Sequence, residues 1–470
     1  MELDDGIYKI PLYVLAEYLD YGDLRKLALI HPYLKKELYT AGKPLVDISI
    51  YEEFLYYSMQ FKNTRFRIDR SFKMTNHDLN SFNIVSLNLS WNEHIHDNSI
   101  NGLLTLTSLT LSRNNLITDK ALIKLTNILA LDISENDKIT NLGVSALVNL
   151  TSLILGNNNN VNDSGLNNLI HLKQLDLKNN KNISDNTLQF LTNITDLNIG
   201  ENNNITFAGL QHLGGLTTIS LSKNVIITKN IFSQLCNITN ITSLDLSDNN
   251  LITGNELILM QHLKKLNISG NEIITNDGLK CLVNLEILSI GHSSTITDNG
   301  IRNLTNLIEL EIYYNNSITD AAFLSLNKLK LLGMAGNDSI TDQRVSTLTN
   351  LTSLHLFDGD KITNVGISSL TNLTKLTINY HNGITNAGLE ELGDLTYLNI
   401  SDNNSITNAG IKHLTNLTSL TTNRKINNKG LLFLHNITSL DLEDNKKISV
   451  KKLVESRTEQ YNSFQQMMNN

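Results

Sequence analysis

The sequence predicts an α/β solenoid, curved, with parallel strands on a concave face, short helices on a convex face, and a small helical module in front. Three observations predict it. A leucine-led segment recurs at a nearly fixed step of 22 residues, from Leu87, Leu109 and Leu131 to Leu398, Leu420 and Leu440, giving about 17 copies. Within each copy a short run alternates apolar and polar residues, as a strand does, and then changes to the spacing of a short helix. Asn, Thr-Asp or Thr-Asn, and Gly recur at fixed offsets between these runs. A period of this length marks units that bury their apolar face only by stacking on neighbours.

Residues 1–40 precede the rhythm. Ile10 to Leu38 reads IPLYVLAEYLDYGDLRKLALIHPYLKKEL. Val14, Leu15, Tyr18 and Leu19 form a helical apolar stripe. Asp23-Leu24 restarts a helix, with Leu27, Ile30 and Leu34 at matching spacing. The segment resembles an F-box, the helical module that docks a Skp-type adaptor of a cullin ubiquitin ligase. The resemblance implies adaptor contacts at Pro11, Leu15, Leu19, Leu24, Leu27, Ile30 and Leu34. The segment departs from the family phrase in two ways. Pro11 to Asp23 is about one helical turn short, and Leu34 stands where the family has Trp, with His31-Pro32 for Cys-Arg. The alternative is a plain helical cap over the first repeat, since solenoid ends need covering.

Residues 41–83 connect the two modules. Tyr51 to Met59 has helical spacing and many aromatics. Phe66-x-Ile68, followed by Met74-Thr75-Asn76 and Leu79-x-x-Phe82, sits about 21 residues ahead of the first clear copy and is expected to be a degenerate capping repeat.

Residues 84–453 carry the repeats, each containing L-x-x-L-x-L-x-x-N-x-x-I-T-[DN]-x-G-[LI]-x-x-L. The strand leucines point inward and the residues between them outward. The Asn, as at Asn92, Asn180, Asn202 and Asn403, has donors and acceptors for the turns of adjacent coils, predicting a stacked ladder. The Thr-Asp or Thr-Asn pair is expected at the helix N-cap. The recurrent Gly, as at Gly165 and Gly300, is expected where coils approach closely. The motif resembles the leucine-rich repeat. Its "ITDxGLxxL" phrasing is similar to the repeats of F-box/leucine-rich-repeat proteins, and its short period to internalin-like repeats. Residues 454–470 form a polar tail expected to fray.

Composition narrows the function classes. Lys+Arg number 38 against Asp+Glu 46, a net charge of −8, with no basic run. A phosphate-binding surface would carry a basic stripe, so nucleic acid is not an expected partner. The start, MELDDGIYKI, lacks an apolar stretch of secretory type, and no segment is long enough to span a membrane. Two cysteines, Cys236 and Cys281, make no disulfide framework. The Asn-, Ile- and Lys-rich composition looks like that of an AT-rich genome such as a protist's or a giant virus's. The expected location is the cytoplasm, the host's if the source is viral. The many Asn-x-Ser/Thr sequons, among them Asn193, Asn237, Asn350, Asn372 and Asn416, mostly recur at one repeat position and are read as repeat grammar.

No catalytic, cofactor-binding or metal-binding constellation is found. There is no phosphate-cradling glycine loop and no Cys-x-x-Cys pair. His94-Ile95-His96-Asp97 is the one tight group of metal-ligand types, and helix capping accounts for it in the repeat register.

The concave face is the expected partner site. Its first half is small and polar: Ser86, Asn88, Ser108, Thr110, Ser152, Thr218, Ser220 and Ser243. The second half presents Glu309, Glu311, Tyr313, Tyr314, His355, Phe357, Asp358, Lys375, Asn379, Tyr380, His381 and Tyr397. In that stretch the ladder Asn gives way to Ser293, Gly359 and His381. Glu309, Glu311, Tyr313, His355, Phe357, Lys375, Asn379 and Tyr397 are the candidate target contacts, because aromatic anchors concentrate binding energy. Neutral drift of the repeat would produce a similar cluster. The expected function is a non-catalytic receptor, the substrate-recognition subunit of a Skp-cullin-F-box ligase. The alternative is a stand-alone interaction scaffold.

Overall fold

The structure, a computed structural model, describes residues 45–48, 65–68, 79 and 83–449, except 359, 360, 438, 443 and 444. The F-box-like segment, with Pro11, Leu15, Leu19, Leu24, Leu27, Ile30 and Leu34, lies outside the described residues, as do the helix expected over Tyr51 to Met59 and the tail from Val454. The chain forms two compact units, divided between Ile227 and Thr228.

The first unit holds β1 (Leu45–Ile48), β2 (Arg65–Ile68), β3 (Asn83–Asn88), β4 (Ser108–Thr110), β5 (Ala130–Asp132), β6 (Ser152–Ile154), β7 (Gln174–Asp176), β8 (Asp196–Asn198) and β9 (Thr218–Ser220). The second holds β10 (Ser243–Asp245), β11 (Lys265–Asn267), β12 (Ile287–Ser289), β13 (Glu309–Tyr313), β14 (Leu331–Ala335), β15 (Ser353–Phe357), β16 (Lys375–Asn379), β17 (Tyr397–Asn399), β18 (Ser419–Thr421) and β19 (Ser439–Asp441). Within each unit successive strands pair in parallel, and the leading leucines align: Leu109 with Leu131, Leu288 with Leu310, Leu420 with Leu440. Most coils carry one helical turn after the strand, such as Asp119–Leu122 and Asp298–Ile301. The expected strand-and-helix leucine-rich solenoid is the fold observed.

Three side-chain ladders hold the coils together. The first is internal. Asn202 is fully buried; its amide donates to the Asn180 carbonyl at 2.7 Å, and its Oδ1 accepts from Asn204 N at 2.9 Å and Ile205 N at 3.1 Å. Asn224 repeats this upon Asn202. One side chain thus satisfies buried backbone groups of two coils. Asn423, two residues off the regular step, belongs to the same ladder: it donates to Asn403 O at 2.6 Å and Ile406 O at 2.9 Å.

The second ladder lies on the helical side and refines the capping expectation. Thr is the N-cap, as Thr118 accepting from Lys120 N shows. The following Asp or Asn serves the next coil instead. Asp97 accepts from Thr118 N and Thr118 Oγ1, both at 2.7 Å, and Asp298 from Thr319 N and Oγ1, both at 2.8 Å. Glycine makes room beside this ladder in many coils: a Cβ on Gly165 or Gly300 would stand 2.6 or 2.5 Å from the Oδ1 of Asn141 or Asn276, whereas Thr187 at the equivalent place donates its hydroxyl to Asp163. The third ladder uses the sequon asparagines. Asn193, Asn350, Asn372 and Asn416 donate to the carbonyls of Ile170, Asn327, Thr349 and Gly393 in the preceding coil.

Two irregular steps have local causes. The long step before Leu244 is absorbed by a seven-residue helix, Lys229–Leu235, where most coils use four. The short step before Leu440 is taken out of the turn after β18, which has no left-handed residue; most coils have one there, such as Glu201 at φ 55° and Asp402 at φ 54°. At the start of the array the register corrects the expected 21-residue spacing. Ile68 pairs with Leu87, 19 residues on, after a shift between Phe66 and Arg67. Another strand, β1, pairs with β2 ahead of it and was not expected from the sequence.

Candidate binding face on the strands

The second unit's strand face changes character over four consecutive strands. β13, β14, β15 and β16 are five residues long, whereas β10, β11, β12, β17, β18 and β19 have three. The third residue of the short strands is often Asp or Asn, whose Oδ1 accepts the N–H two residues on. Asp245 does so to Ser247 N, Asn267 to Ser269 N and Asn399 to Ser401 N, at 2.9 to 3.0 Å. That side-chain bond competes with the ladder and ends the strand. The equivalent residues in the long strands are Glu311, Gly333, His355 and Thr377, none of which forms such a turn. Ser289 of β12 also lacks this turn and its strand stops at three. Losing the turn therefore permits extension, and a run of extended neighbours supplies the partners that complete it.

The extension arranges the outward side chains in three rows. Glu309, Leu331, Ser353, Lys375 and Tyr397 form the first, Glu311, Gly333, His355 and Thr377 the second, and Tyr313, Ala335, Phe357 and Asn379 the third. Small residues on β14 let the neighbours close over that strand. A Cβ on Gly333 would stand 2.6 Å from the Tyr313 hydroxyl, so Tyr313 lies across it. The Tyr313 ring meets Phe357 edge-on at 6.1 Å, and Phe357 meets His355 at 6.4 Å, both geometries favoured by aromatic quadrupoles. Glu311 accepts from Ser289 Oγ at 2.8 Å and from the Tyr313 hydroxyl at 3.3 Å. His355 Nε2 shares a 2.8 Å hydrogen bond with Ser353 Oγ.

Burial and charge follow from this closure. Burial, with the Glu311 charge and its hydrogen bond, pushes the Tyr313 phenol well above its ordinary range. Burial pushes the His355 imidazole below its ordinary value; Lys375 acts in the same direction and Glu311 opposes it. One coil edge is also built from the exposed turn residues. His292 and Tyr314 stack at 4.7 Å, and the Tyr314 hydroxyl reaches Asp358 at 3.4 Å.

The structure brings together Glu311, Tyr313, His355 and Phe357. Glu309, Lys375 and Tyr397 share a separate row, and Tyr397 makes no ring contact with the aromatic group among the described residues. His381, expected on the surface, is only 2% exposed, because it occupies the buried ladder position and not a strand position. Ser293 is likewise buried, and its carbonyl accepts from Asn315. Gly359 lies outside the described residues.

One exposed group in the first unit escaped the sequence reading. Trp91 is 66% exposed at φ 59°, the Arg113 guanidinium lies 4.6 Å over its ring, and Arg113 forks onto Glu135 at 2.6 and 2.8 Å. The polar outward strand residues concealed it, since it stands in the left-handed turn position just beyond them. The signal was present: Trp91 is the chain's one tryptophan.

No group of three or more His, Cys, Asp or Glu among the described residues is placed to hold a metal ion, and no helix among them is long and apolar enough to cross a membrane. Asp97, from the one histidine-rich group in the sequence, is engaged by Thr118.

Comparison with known proteins returns the same repeat. The leucine-rich-repeat family model matches residues 102–125, 124–148, 237–255, 260–283, 347–370, 369–393 and 394–414. Among solved structures, an internalin (InlF) of Listeria monocytogenes is 29% identical, with 66% of this chain and 90% of that chain covered and a TM-score of 0.42. A leucine-rich-repeat protein of Leptospira interrogans is 21% identical, covering 84% and 100%, with a TM-score of 0.44. TLR13 in its complex with ssRNA13 is 19% identical, covering 85% and 76%, with a TM-score of 0.49. No curated protein sequence matches the chain.

Proposed function

We propose that the leucine-rich-repeat array of this chain is a non-catalytic protein-binding receptor whose partner docks on the strand face around Tyr313 and Phe357. The observation that carries this reading is the cluster itself: four lengthened strands presenting half-buried aromatic rings beside carboxylates. Rigid aromatic side chains set in a polar surround are where interface energy concentrates. A net charge of −8 fits a protein partner better than a nucleic acid.

The finer role is substrate recognition for a Skp-cullin-F-box ubiquitin ligase. It is supported by the F-box-like phrase from Ile10 to Leu38 standing ahead of a long repeat array. In that role the array holds the target and other subunits transfer ubiquitin, in the cytoplasm. The alternative is a stand-alone scaffold that uses the same face without an adaptor.

The test uses the tagged full-length chain, a Leu15→Asp/Leu19→Asp variant, and a Tyr313→Ala/Phe357→Ala/Tyr397→Ala variant, with captured proteins identified by mass spectrometry. The ligase role requires a Skp-type adaptor that is lost only with the first variant. No adaptor with the wild type leaves the scaffold. Target capture unchanged by the triple variant removes the strand face from the reading.

A further inference from the structure

We propose that the Glu311–Tyr313–Phe357 corner of this face recognises an exposed arginine side chain of the partner protein. The inference rests on the reading of the strand face as the partner's site, and adds the chemistry it selects.

Glu311 is a fixed acceptor with capacity to spare. Ser289 and Tyr313 each hold one of its oxygens. An ionised carboxylate offers about four acceptor sites, so room remains for a bidentate donor. Among the described residues no cation pairs with Glu309 or Glu311, whereas Glu135, Asp277 and Glu286 are each paired with a basic side chain.

The aromatic wall stands beside that acceptor. Tyr313 and Phe357 flank β14, where Gly333 and Ala335 put almost no side chain between them. A guanidinium is the one protein cation that both forks onto a carboxylate and stacks on an aromatic face. Ammonium would satisfy the charge without the fork.

The wider face has the complementary sign. Its outward strand residues include Asp245, Glu309, Glu311 and Asp441 against Lys265 and Lys375. Lys375 stands on β16, three strands from β13, so the carboxylate side of the corner is the approach for a cation.

The test uses the full-length chain and a random 12-residue peptide library. Binders are remade with each arginine replaced by lysine or by citrulline, which keeps the shape and removes the charge. Their affinities are measured by fluorescence polarisation against wild type, Glu311→Gln, and Tyr313→Ala/Phe357→Ala. The expected result is binding that falls at least tenfold on changing one arginine to citrulline, and less on changing it to lysine. Glu311→Gln should weaken the arginine peptide about tenfold and leave the citrulline peptide unmoved. Binders without an essential arginine, or binding indifferent to Glu311→Gln, overturn the proposal. If the aromatic double variant abolishes such binding, the face still stands as the partner site. If that variant is also silent, the reading of the face falls with it.

Discussion

Replacing Asn202, one member of the asparagine ladder, with alanine should destabilise the first unit by about 4 kcal/mol. The side chain is 0% exposed and makes three hydrogen bonds, to the Asn180 carbonyl and from the N–H groups of Asn204 and Ile205. Alanine removes all three. The Asn204 N–H is part-buried and water can reach it. The Asn180 carbonyl and the Ile205 N–H stay buried, and an orphaned buried group costs roughly 1–3 kcal/mol. Two of them set the figure. The control is Asn193→Ala, which loses one exposed bond to the Ile170 carbonyl and should cost at most about 1 kcal/mol. Urea unfolding followed by circular dichroism gives the stabilities. Hydrogen exchange locates the damage, which should centre on residues 180–183 and 199–205, since repeats couple to their nearest neighbours. The reasoning is refuted if the two variants differ by less than 1 kcal/mol, or if protection at Ile205 is unchanged.

Three further outcomes follow from the same geometry. Asp298→Ala should cost about 1–2 kcal/mol by freeing Thr319 N and Oγ1, while Asp298→Asn should be nearly neutral, because Asn276 already accepts from Thr297 N in the previous coil; thermal melts of the two variants decide it. Gly254→Ala should cost about 1–3 kcal/mol, since the new Cβ would stand 2.9 Å from the Gly278 Cα and backbone cannot rotate away, whereas Gly102→Ala, with nothing within 4 Å, should be neutral or slightly stabilising in the same urea titration. His355 should make the second unit less stable in mild acid. Its folded-state value is depressed, so the unfolded chain binds the proton first; the stability is present above about pH 6.5 and is lost as the pH falls from there through the folded value. Denaturation midpoints measured from pH 7.5 to 5 should fall less in His355→Gln than in the wild type.

Much of the fold was legible because the repeat states its constraints 17 times. Each buried asparagine, threonine cap and interior glycine answers a backbone demand that recurs with the coil. Legibility stopped where the demand involved two coils at once. The Thr-Asp pair reads as one cap, but Asp298 is held by Thr319 in the next coil. Asn423 was missed because two residues are absent from its turn, yet its amide finds the same kind of carbonyl. His381 reads from the sequence both as a presented residue and as a replacement for the ladder Asn, and its burial decides for the ladder. The candidate corner was half visible. Its residues were named from the sequence, but strand extension depends on neighbours extending together, and no single copy contains that information.

The sequence alone determined the period, the inward leucines, the asparagine column and the absence of a basic stripe, because each is a local pattern repeated under one physical requirement. The tertiary structure decided which outward side chains meet. Tyr313 reaches Phe357 only because Gly333 and Ala335 intervene on β14, and Trp91 carries Arg113 only because stacking aligns their turns. Residues 22 apart in sequence become neighbours about 4.8 Å apart across a parallel ladder, and those lateral contacts exist only once the coils are stacked.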